Sequence, residues 1–462
     1  MTRLQRWLTG AGLALALLAS DKAAVADDFA EAYRAELYAG RFAAAGQVAG
    51  GAIATDPAKA HAAQGVATFF GAVEGLIHGF HRYGLNNGTN GFGAMALAGM
   101  PFLRLPVAPN PNPEPVSYQG LRQLLAEFHS GLAQAEAELA KAGDAPFTLE
   151  LDLGQVALDL NADGTPDPGA TLLTVFQAVS GARTEKQLVV DFDQSDASWL
   201  QAYAHLLMAM ADMILAHDWQ AAYDATFEGL FPQSFTPKTA LNSLYQDFRA
   251  KRERFQAEKP PRPACKRWID GKPNEPCTEE WTDYNAHPAV MGERQLRQAA
   301  EYGSIADLIA FVHLLRWDVV EPQRLKDAHG HLLSMVALSR ETWRRIGLET
   351  DNGREWLPGP NQTGIFPTMP IDQRRMTAWL GFLDSFEAVL KGEMLLPHWR
   401  FEQGFNLRRM FEEPGQLDLV MMLHGAGVLP YLEDGPIADS GVWSRTVDVF
   451  GGDFFRYFVW IN

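Results

Sequence analysis

Apolar residues recur at helical spacing along most of the chain, which predicts a mainly α, multi-helix globular protein. One clear amphipathic helix runs from a Ser117 cap to a Gly143 stop. Another begins near Asp372 and stops before Gly392. The same spacing predicts further helices over 196–217, 238–258, 292–316 and 323–346.

Residues 28–83 also have helical spacing, and Asp56-Pro57 opens a run of small and aromatic residues there. This segment resembles the start of a tetratricopeptide protein. The resemblance covers one or two repeats, whereas a stable solenoid needs about three. We therefore interpret the segment as helical hairpins.

The longest apolar stretch in the interior of the chain runs from Trp199 to Ile214. Gln201, His205 and Asp212 interrupt it with polar groups. A membrane-spanning helix needs about 20 predominantly apolar residues. We expect a buried core helix here instead.

Between the helical regions the apolar period changes from 3.6 to 2, which is typical of strands. The alternating segments are 147–153, 155–160 and 186–192. They predict a small β insertion. The expected organisation is therefore N-terminal helices in 27–143, the β insertion in 144–195, and a main helical region with long C-terminal loops in 196–462.

Oxygen-bearing residues alternate within this insertion and surround Gly164, whose freedom permits a sharp turn. The expected Ca²⁺ ligands are Asp159, Asn161, Asp163, Thr165 through its carbonyl, and Asp167. The pattern resembles the calcium loop of EF-hand and dockerin proteins over about a dozen residues. That resemblance implies a bound Ca²⁺ ion.

The loop departs from that pattern at its twelfth position, which is Ala170 and not Glu. The bidentate carboxylate must then come from elsewhere, with Asp191 and Asp193 as candidates, or the site is weak. Because strands are expected on both sides, the ion would stabilise the fold and not act as a switch. The alternative is a solvated Asx-Gly turn that binds no metal.

The chain begins with two arginines within its first six residues, and a nearly uncharged apolar run follows over 7–19. Small residues then occur at Ala24-Val25-Ala26. This arrangement is typical of a signal peptide, residues 1–26, cleaved after Ala26. A retained anchor is the alternative, but the apolar run is too short to span a bilayer. We expect a periplasmic or secreted protein without a transmembrane segment in its mature chain.

Cys265 and Cys277 lie in a segment rich in proline and polar residues, where we expect no regular element. In an oxidising compartment they would form a disulfide bond worth about 3 kcal/mol. A two-cysteine metal site lacks histidines at ligand spacing, and a redox pair would normally be Cys-x-x-Cys.

Acidic residues outnumber basic ones, 56 to 39, which gives a net charge of −17. No basic cluster interrupts this balance. Nucleic acid is therefore excluded as a partner, since binding to phosphates needs a patch of Lys and Arg.

Two groups of histidines have helical spacing. Glu74, His78 and His81 share a face, but about 10 Å of helix axis separates Glu74 from His81, too far for easy convergence on one metal. His329 and His331 point about 200° apart on a helix, so the two do not share a metal.

Loops in 347–435 gather polar, aromatic and charged residues. Long loops on a helical scaffold are common places for binding and catalysis. The candidate catalytic residues are His398 or His424 as acid or base, with Glu355, Glu433 or Asp434 as carboxylate partner. Ordinary ion pairing between loops is the alternative.

Together these patterns predict an exported, calcium-stabilised helical protein that binds an envelope component or a small ligand. The rival hypothesis is an exported hydrolase or lyase with a cleft in the 347–435 loops.

Overall fold

A computed structural model describes residues 29–86, 105–180, 188–227, 230–234, 241–366, 369–451, 457 and 460–461. The predicted signal peptide, residues 1–26, lies outside these residues. Within them, no helix is both long and apolar enough to cross a membrane.

Helices dominate the described chain, as the apolar spacing predicts. In chain order they are α1 (29–38), α2 (Phe42–Ala52), α3 (Pro57–Arg82), α4 (Tyr118–Ala142), α5 (Leu172–Ser180), α6 (Gln194–Leu215), α7 (Gln220–Thr226), α8 (Leu241–Glu258), α9 (Glu275–Ala286), α10 (Pro288–Leu314), α11 (Pro322–Ile346), α12 (Gln373–Leu390), α13 (Leu407–Glu412), α14 (Leu419–His424) and α15 (Ser440–Val449). A 3₁₀-helix spans Ala426–Tyr431.

The described strands are short and antiparallel. They are β1 (Leu149–Asp152), β2 (Val189–Phe192), β3 (His217–Asp218), β4 (Trp268–Ile269), β5 (Lys272–Pro273), β6 (Arg316–Val319), β7 (Gly404–Phe405), β8 (Leu417–Asp418) and β9 (Leu432–Glu433). β1 pairs with β2, β4 with β5, β7 with β9, and β6 lies between β3 and β8.

Local capping signals explain where the best-predicted helices begin and end. The Ser117 hydroxyl accepts a hydrogen bond from Gly120 N at 3.0 Å before α4. The Asp372 carboxylate accepts one from the backbone N–H three residues later, at 2.8 Å, before α12. Gly143 and Gly392 follow these helices with φ of 66° and 71°, a conformation that glycine adopts readily.

Helices α2, α3, α4, α6 and α11 pack side by side in that order. α3 and α4 are antiparallel and unusually close, because Gly65 lies against Leu139 and Gly79 lies against Leu124. The α4–α6 and α6–α11 pairs are antiparallel as well. Their facing surfaces form the centre of the apolar core.

The β insertion differs in two places from its sequence pattern. Residues 155–160 do not form a strand. Ala157 makes a single bridge to Thr171, and its N–H donates to the Tyr38 carbonyl. These partners satisfy the backbone without a sheet. The chain after the calcium-type loop forms helix α5, where no element was expected. The elements on either side of the loop along the chain are therefore strand β1 and helix α5.

The cysteine segment is more ordered than its composition suggests. The Sγ atoms of Cys265 and Cys277 are bonded at 2.16 Å, as expected. Between them lies the β4–β5 hairpin, which turns at Asp270 and Gly271 with φ of 48° and 75°. Positive φ at both turn residues suits a two-residue hairpin and explains why this segment forms strands.

The described residues of the aromatic C-terminal stretch are buried in the core. Trp460 and Ile461 are each 1% exposed. The Trp460 indole N–H donates to the Trp356 carbonyl at 3.1 Å, and its own carbonyl accepts from the Trp199 indole at 2.9 Å. The last residues thereby join α6 to the 349–371 loop.

Candidate functional site

An apolar cavity of about 200 Å³ lies where α3, α4 and α6 meet the β insertion and α5. Its walls are almost entirely carbon. The largest side chains around it are aromatic: Phe69, Phe70, Phe128, Phe176, Phe192, Trp199, Tyr203 and Trp356. Because the neighbouring core is closely packed, a space of this size is a feature that needs an explanation.

Three of the residues that line the cavity carry a polar group. The indole nitrogen of Trp356 is buried and has no hydrogen-bond partner among the described residues. No hydrogen bond joins the Tyr203 hydroxyl to another described residue, and burial raises the pKa of Tyr203 to about 12. The third group is the carboxyl of Asp196. An unpaired buried N–H costs about 1–3 kcal/mol, so a ligand acceptor at Trp356 would be favoured.

Asp196 is held at the first turn of α6 by reciprocal hydrogen bonds with Asp193, each 3.2 Å long. Its side chain is buried. Burial, reinforced by the carboxyl of Asp193, raises the pKa of Asp196 well above its usual range. The cavity therefore favours the neutral acid, which has an O–H to donate.

Further carboxyl groups surround this end of α6. Glu355 is 7% exposed. Burial, with Glu349, Asp351 and Asp193 nearby, raises the pKa of Glu355 to about 8. Burial also raises the pKa of Glu349. Burial among these acidic groups favours the neutral form of a carboxyl group, so an anionic ligand is disfavoured here for the same reason.

The side chains of the 159–167 loop accept hydrogen bonds from the backbone of the same loop, which turns at Gly164. Gly164 has a φ of 85°, and its N–H donates to Asp159 Oδ2 at 2.8 Å. The side-chain oxygens of Asn161 and Asp163 accept from Asp163 N and Thr165 N at 2.9 and 2.8 Å. Asp167 Oδ2 accepts from Leu160 N at 2.7 Å. These bonds would form with or without an ion.

Neither expected source of the missing carboxylate faces this loop. Asp191 pairs with Arg354 at 2.6 Å, and Asp193 caps α6. Glu74 of α3 lies closer, with its Oε1 accepting from Asp159 N at 3.1 Å. His78 Nε2 lies 2.7 Å from the Asp159 carbonyl. Part of the Glu74, His78 and His81 face thus meets the loop, whereas His81 Nδ1 lies 2.8 Å from the Ala108 carbonyl.

The candidate catalytic residues of 347–435 lie in different surroundings. His398 Nε2 is 3.2 Å from the Met422 carbonyl, and His424 ends α14 with an exposed side chain. Glu355 belongs to the carboxyl group around α6, and no described contact joins it to either histidine. Glu433 bonds to Asn406 and to Arg409 of α13, and Asp434 bonds to Gln403.

A second polar cluster lies between α4, α6 and α11. His129, Asp212 and His331 each offer one ligand atom, and these atoms all lie within 4.8 Å of one another. Sequence spacing along one helix did not reveal this group, because its members come from three helices. A signal was nevertheless present: His205 and Asp212 interrupt an apolar helix two turns apart.

The cavity was also missed from the sequence, since each of its apolar residues looks like ordinary core. Asp196 and Tyr203 are the informative exceptions, being polar side chains on the largely apolar helix α6. No protein family, curated protein or solved structure matches this chain.

Proposed function

We propose that the protein binds a small, neutral, largely apolar molecule in the cavity beside α6. The observation that carries this proposal is an aromatic-walled space of about 200 Å³ with the unpartnered Trp356 N–H at its border. Binding sites for small molecules typically combine apolar walls with a few placed polar groups. This combination distinguishes the cavity from a simple packing gap.

The size of the cavity limits the ligand. An engineered apolar cavity of about 150 Å³ stays dry and binds benzene, whereas drug-sized ligands need about 300 Å³ or more. A space of about 200 Å³ therefore suits a single ring with a short substituent.

The polar groups define the chemistry of that substituent. The Trp356 N–H can only donate, and the Tyr203 hydroxyl and a neutral Asp196 carboxyl can donate as well as accept, so a ligand acceptor such as a carbonyl oxygen can pair with any of the three. Among the described residues that line the cavity there is no Lys or Arg, and the nearby acidic groups are themselves favoured in their neutral forms. A carboxylate ligand would be disfavoured.

We further propose that this binding takes place outside the cytoplasm, in the periplasm or after secretion, and that Ca²⁺ stabilises the 159–167 loop. The signal-peptide pattern and the disulfide bond support the location. The donor set of the loop, with Glu74 nearby, supports the ion. Calcium would stabilise the β insertion that forms one wall of the cavity.

Three probes of similar size test the ligand chemistry: acetophenone, ethylbenzene and benzoate. Ligand-detected NMR and calorimetry would measure their binding to the full chain. Acetophenone should bind most tightly. Ethylbenzene should bind about threefold to tenfold more weakly, because it loses a hydrogen bond worth about 0.5–1.5 kcal/mol. Benzoate should bind least.

Two results would contradict the proposal. If none of the probes binds, the cavity is a packing defect. If benzoate binds as tightly as acetophenone, the cavity does not select a neutral ligand, and the nearby acidic groups do not disfavour an anion.

A further inference from the structure

Three neighbouring helices carry pairs of polar residues seven positions apart on the surfaces that face one another. The pairs are His129 and Glu136 on α4, His205 and Asp212 on α6, and Arg324 and His331 on α11. Seven residues are about two helical turns, so both members of a pair share a face. Because neighbouring helices run in opposite directions, the six residues form two layers. One layer contains His129, Asp212 and Arg324, and the other contains Glu136, His205 and His331.

The distances in this cluster suit a tetrahedral metal ion. His129 Nε2 lies 3.2 Å from Asp212 Oδ2, and His331 Nε2 lies 3.7 Å from the same oxygen. Two ligands at 2.0–2.1 Å from a tetrahedral ion are about 3.3 Å apart. The third pair, His129 and His331, lies within 4.8 Å, so the two rings would move closer together to bind one ion.

The surrounding hydrogen bonds orient His331 for this role. Its Nδ1 lies 2.8 Å from His205 Nδ1, so one nitrogen donates and the other accepts. If His331 donates, its Nε2 keeps a free lone pair directed at Asp212, and the proton of His205 is on Nε2. His205 Nε2 then faces Glu136 Oε1 at 3.7 Å. A carboxylate–histidine chain behind a ligating histidine is the usual outer shell of a metal site.

Asp212 is oriented in a comparable way. Its side chain is 2% exposed, and its Oδ1 accepts from Arg324 Nη1 at 2.7 Å. Glu321 in turn pairs with Arg324 at 2.7 Å. Oδ2 is thereby left to face the two histidines.

We propose that His129, Asp212 and His331 bind one divalent transition-metal ion, with Zn²⁺ as the natural occupant. Two imidazoles and one carboxylate suit zinc, whereas Ca²⁺ prefers oxygen ligands alone. The side chains of His129 and His331 are each 21% exposed, so an ion can enter from solvent. The fourth position is open to water or to a substrate, as in catalytic zinc sites.

The test uses the full chain without a histidine tag, stripped of metal and kept in excess Ca²⁺ so that the 159–167 loop does not compete. Calorimetry with Zn²⁺ should give one ion per chain. Co²⁺ should give the visible absorption of a tetrahedral site. Absence of binding with this stoichiometry, or a Co²⁺ spectrum of octahedral form, would overturn the proposal.

Variants assign the ligands. His331→Ala and His129→Ala should each weaken Zn²⁺ binding by more than about 100-fold. Loss of an outer-shell partner weakens metal binding by at most about 100-fold, and loss of a ligand should weaken it more. His329→Ala is the matched control, because His329 lies on the same helix but bonds to the Leu390 carbonyl at 2.8 Å. Unchanged affinity in both ligand variants would place the ion elsewhere. If one variant does not fold, the other decides.

His205 is tested as a positioning residue. His205→Gln should weaken Zn²⁺ binding by about 10–100-fold while the melting temperature of the metal-free protein changes little. A fall in the metal-free melting temperature with no change in Zn²⁺ affinity would mean that His205 serves packing alone.

Discussion

The side chain of Leu124 on α4 lies directly over Gly79 of α3, so that a Cβ atom at position 79 would overlap both of its methyl groups. Gly79→Ala should therefore lower the free energy of unfolding by about 1–3 kcal/mol, the usual cost of overpacking a core. This loss outweighs the gain of up to about 1 kcal/mol that alanine brings to a helix. Chemical denaturation measures the change.

Gly75 provides the matched control on the same helix. No atom lies within 4 Å of a Cβ built there. Gly75→Ala should stabilise the protein slightly. If both variants behave alike, the close approach of α3 and α4 does not limit stability.

Filling the cavity should abolish ligand binding without unfolding the protein. Leu207 lines the cavity, so the larger ring of Leu207→Phe can occupy the empty space. We expect acetophenone binding to weaken at least tenfold, about 1.4 kcal/mol, while the melting temperature stays constant or rises. Calorimetry and thermal unfolding measure the two effects.

Leu206→Phe is the control for this change, because Leu206 is the preceding residue and does not line the cavity. It should bind acetophenone like the unmodified chain. Equal binding by both variants would mean that the probe binds at another site.

Glu355 should make stability depend on pH. Its pKa is raised to about 8 in the folded chain, chiefly by burial, above the ordinary value of 4.5. The folded state thus binds this proton more tightly than the unfolded state. Glu355 therefore stabilises the folded state fully at pH values below its ordinary pKa, and this stabilisation is lost as pH rises from about 5 to about 8. Glu355→Gln should remove a few kcal/mol of this dependence, since a tenfold change in proton affinity is about 1.4 kcal/mol.

Denaturation at several pH values, analysed as the difference between Glu355→Gln and the unmodified chain, measures this effect. Glu402→Gln, at an exposed position, controls for the loss of one negative charge. A difference that does not vary with pH would mean that Glu355 is ionised throughout.

Calcium should raise the melting temperature if the 159–167 loop binds it. The expected stabilisation is about 2.7 kcal/mol when free Ca²⁺ is 100 times the dissociation constant. Asp163→Ala should abolish this effect, and Glu74→Gln should reduce it if Glu74 supplies the missing carboxylate. Thermal unfolding with and without EGTA measures it.

Glu402→Gln, an exposed change outside the β insertion and α3, should leave the calcium response intact. A melting curve that ignores calcium in the unmodified chain would leave the loop as a simple turn.

Local signals were sufficient to predict most helices. Ser117 and Asp372 start α4 and α12, because their side chains accept hydrogen bonds from the first turn of each helix. Glycine follows the end of both helices. Capping acts within one turn of the chain, so the sequence alone contains this information.

The prediction of a strand at 155–160 was wrong, because the backbone of Val156 and Ala157 bonds to residues that belong to no strand. The N–H of Ala157 donates to the Tyr38 carbonyl, and the carbonyl of Val156 accepts from the N–H of Leu172 at 3.0 Å. These partners come into place only after folding. An alternating apolar pattern does not contain that information.

The candidate sites could be recognised only from the tertiary structure. The sequence correctly places His329 and His331 on different sides of α11, but it does not show that His129 and Asp212 face His331. Their positions depend on which helices become neighbours. Likewise, the cavity arises from the way several well-packed surfaces meet, and no single segment specifies it.

The disulfide bond between Cys265 and Cys277 closes an exposed hairpin into a ring. A protease that cuts this hairpin once would leave the two fragments covalently attached. The nicked chain would keep its full mass until a reductant separates it.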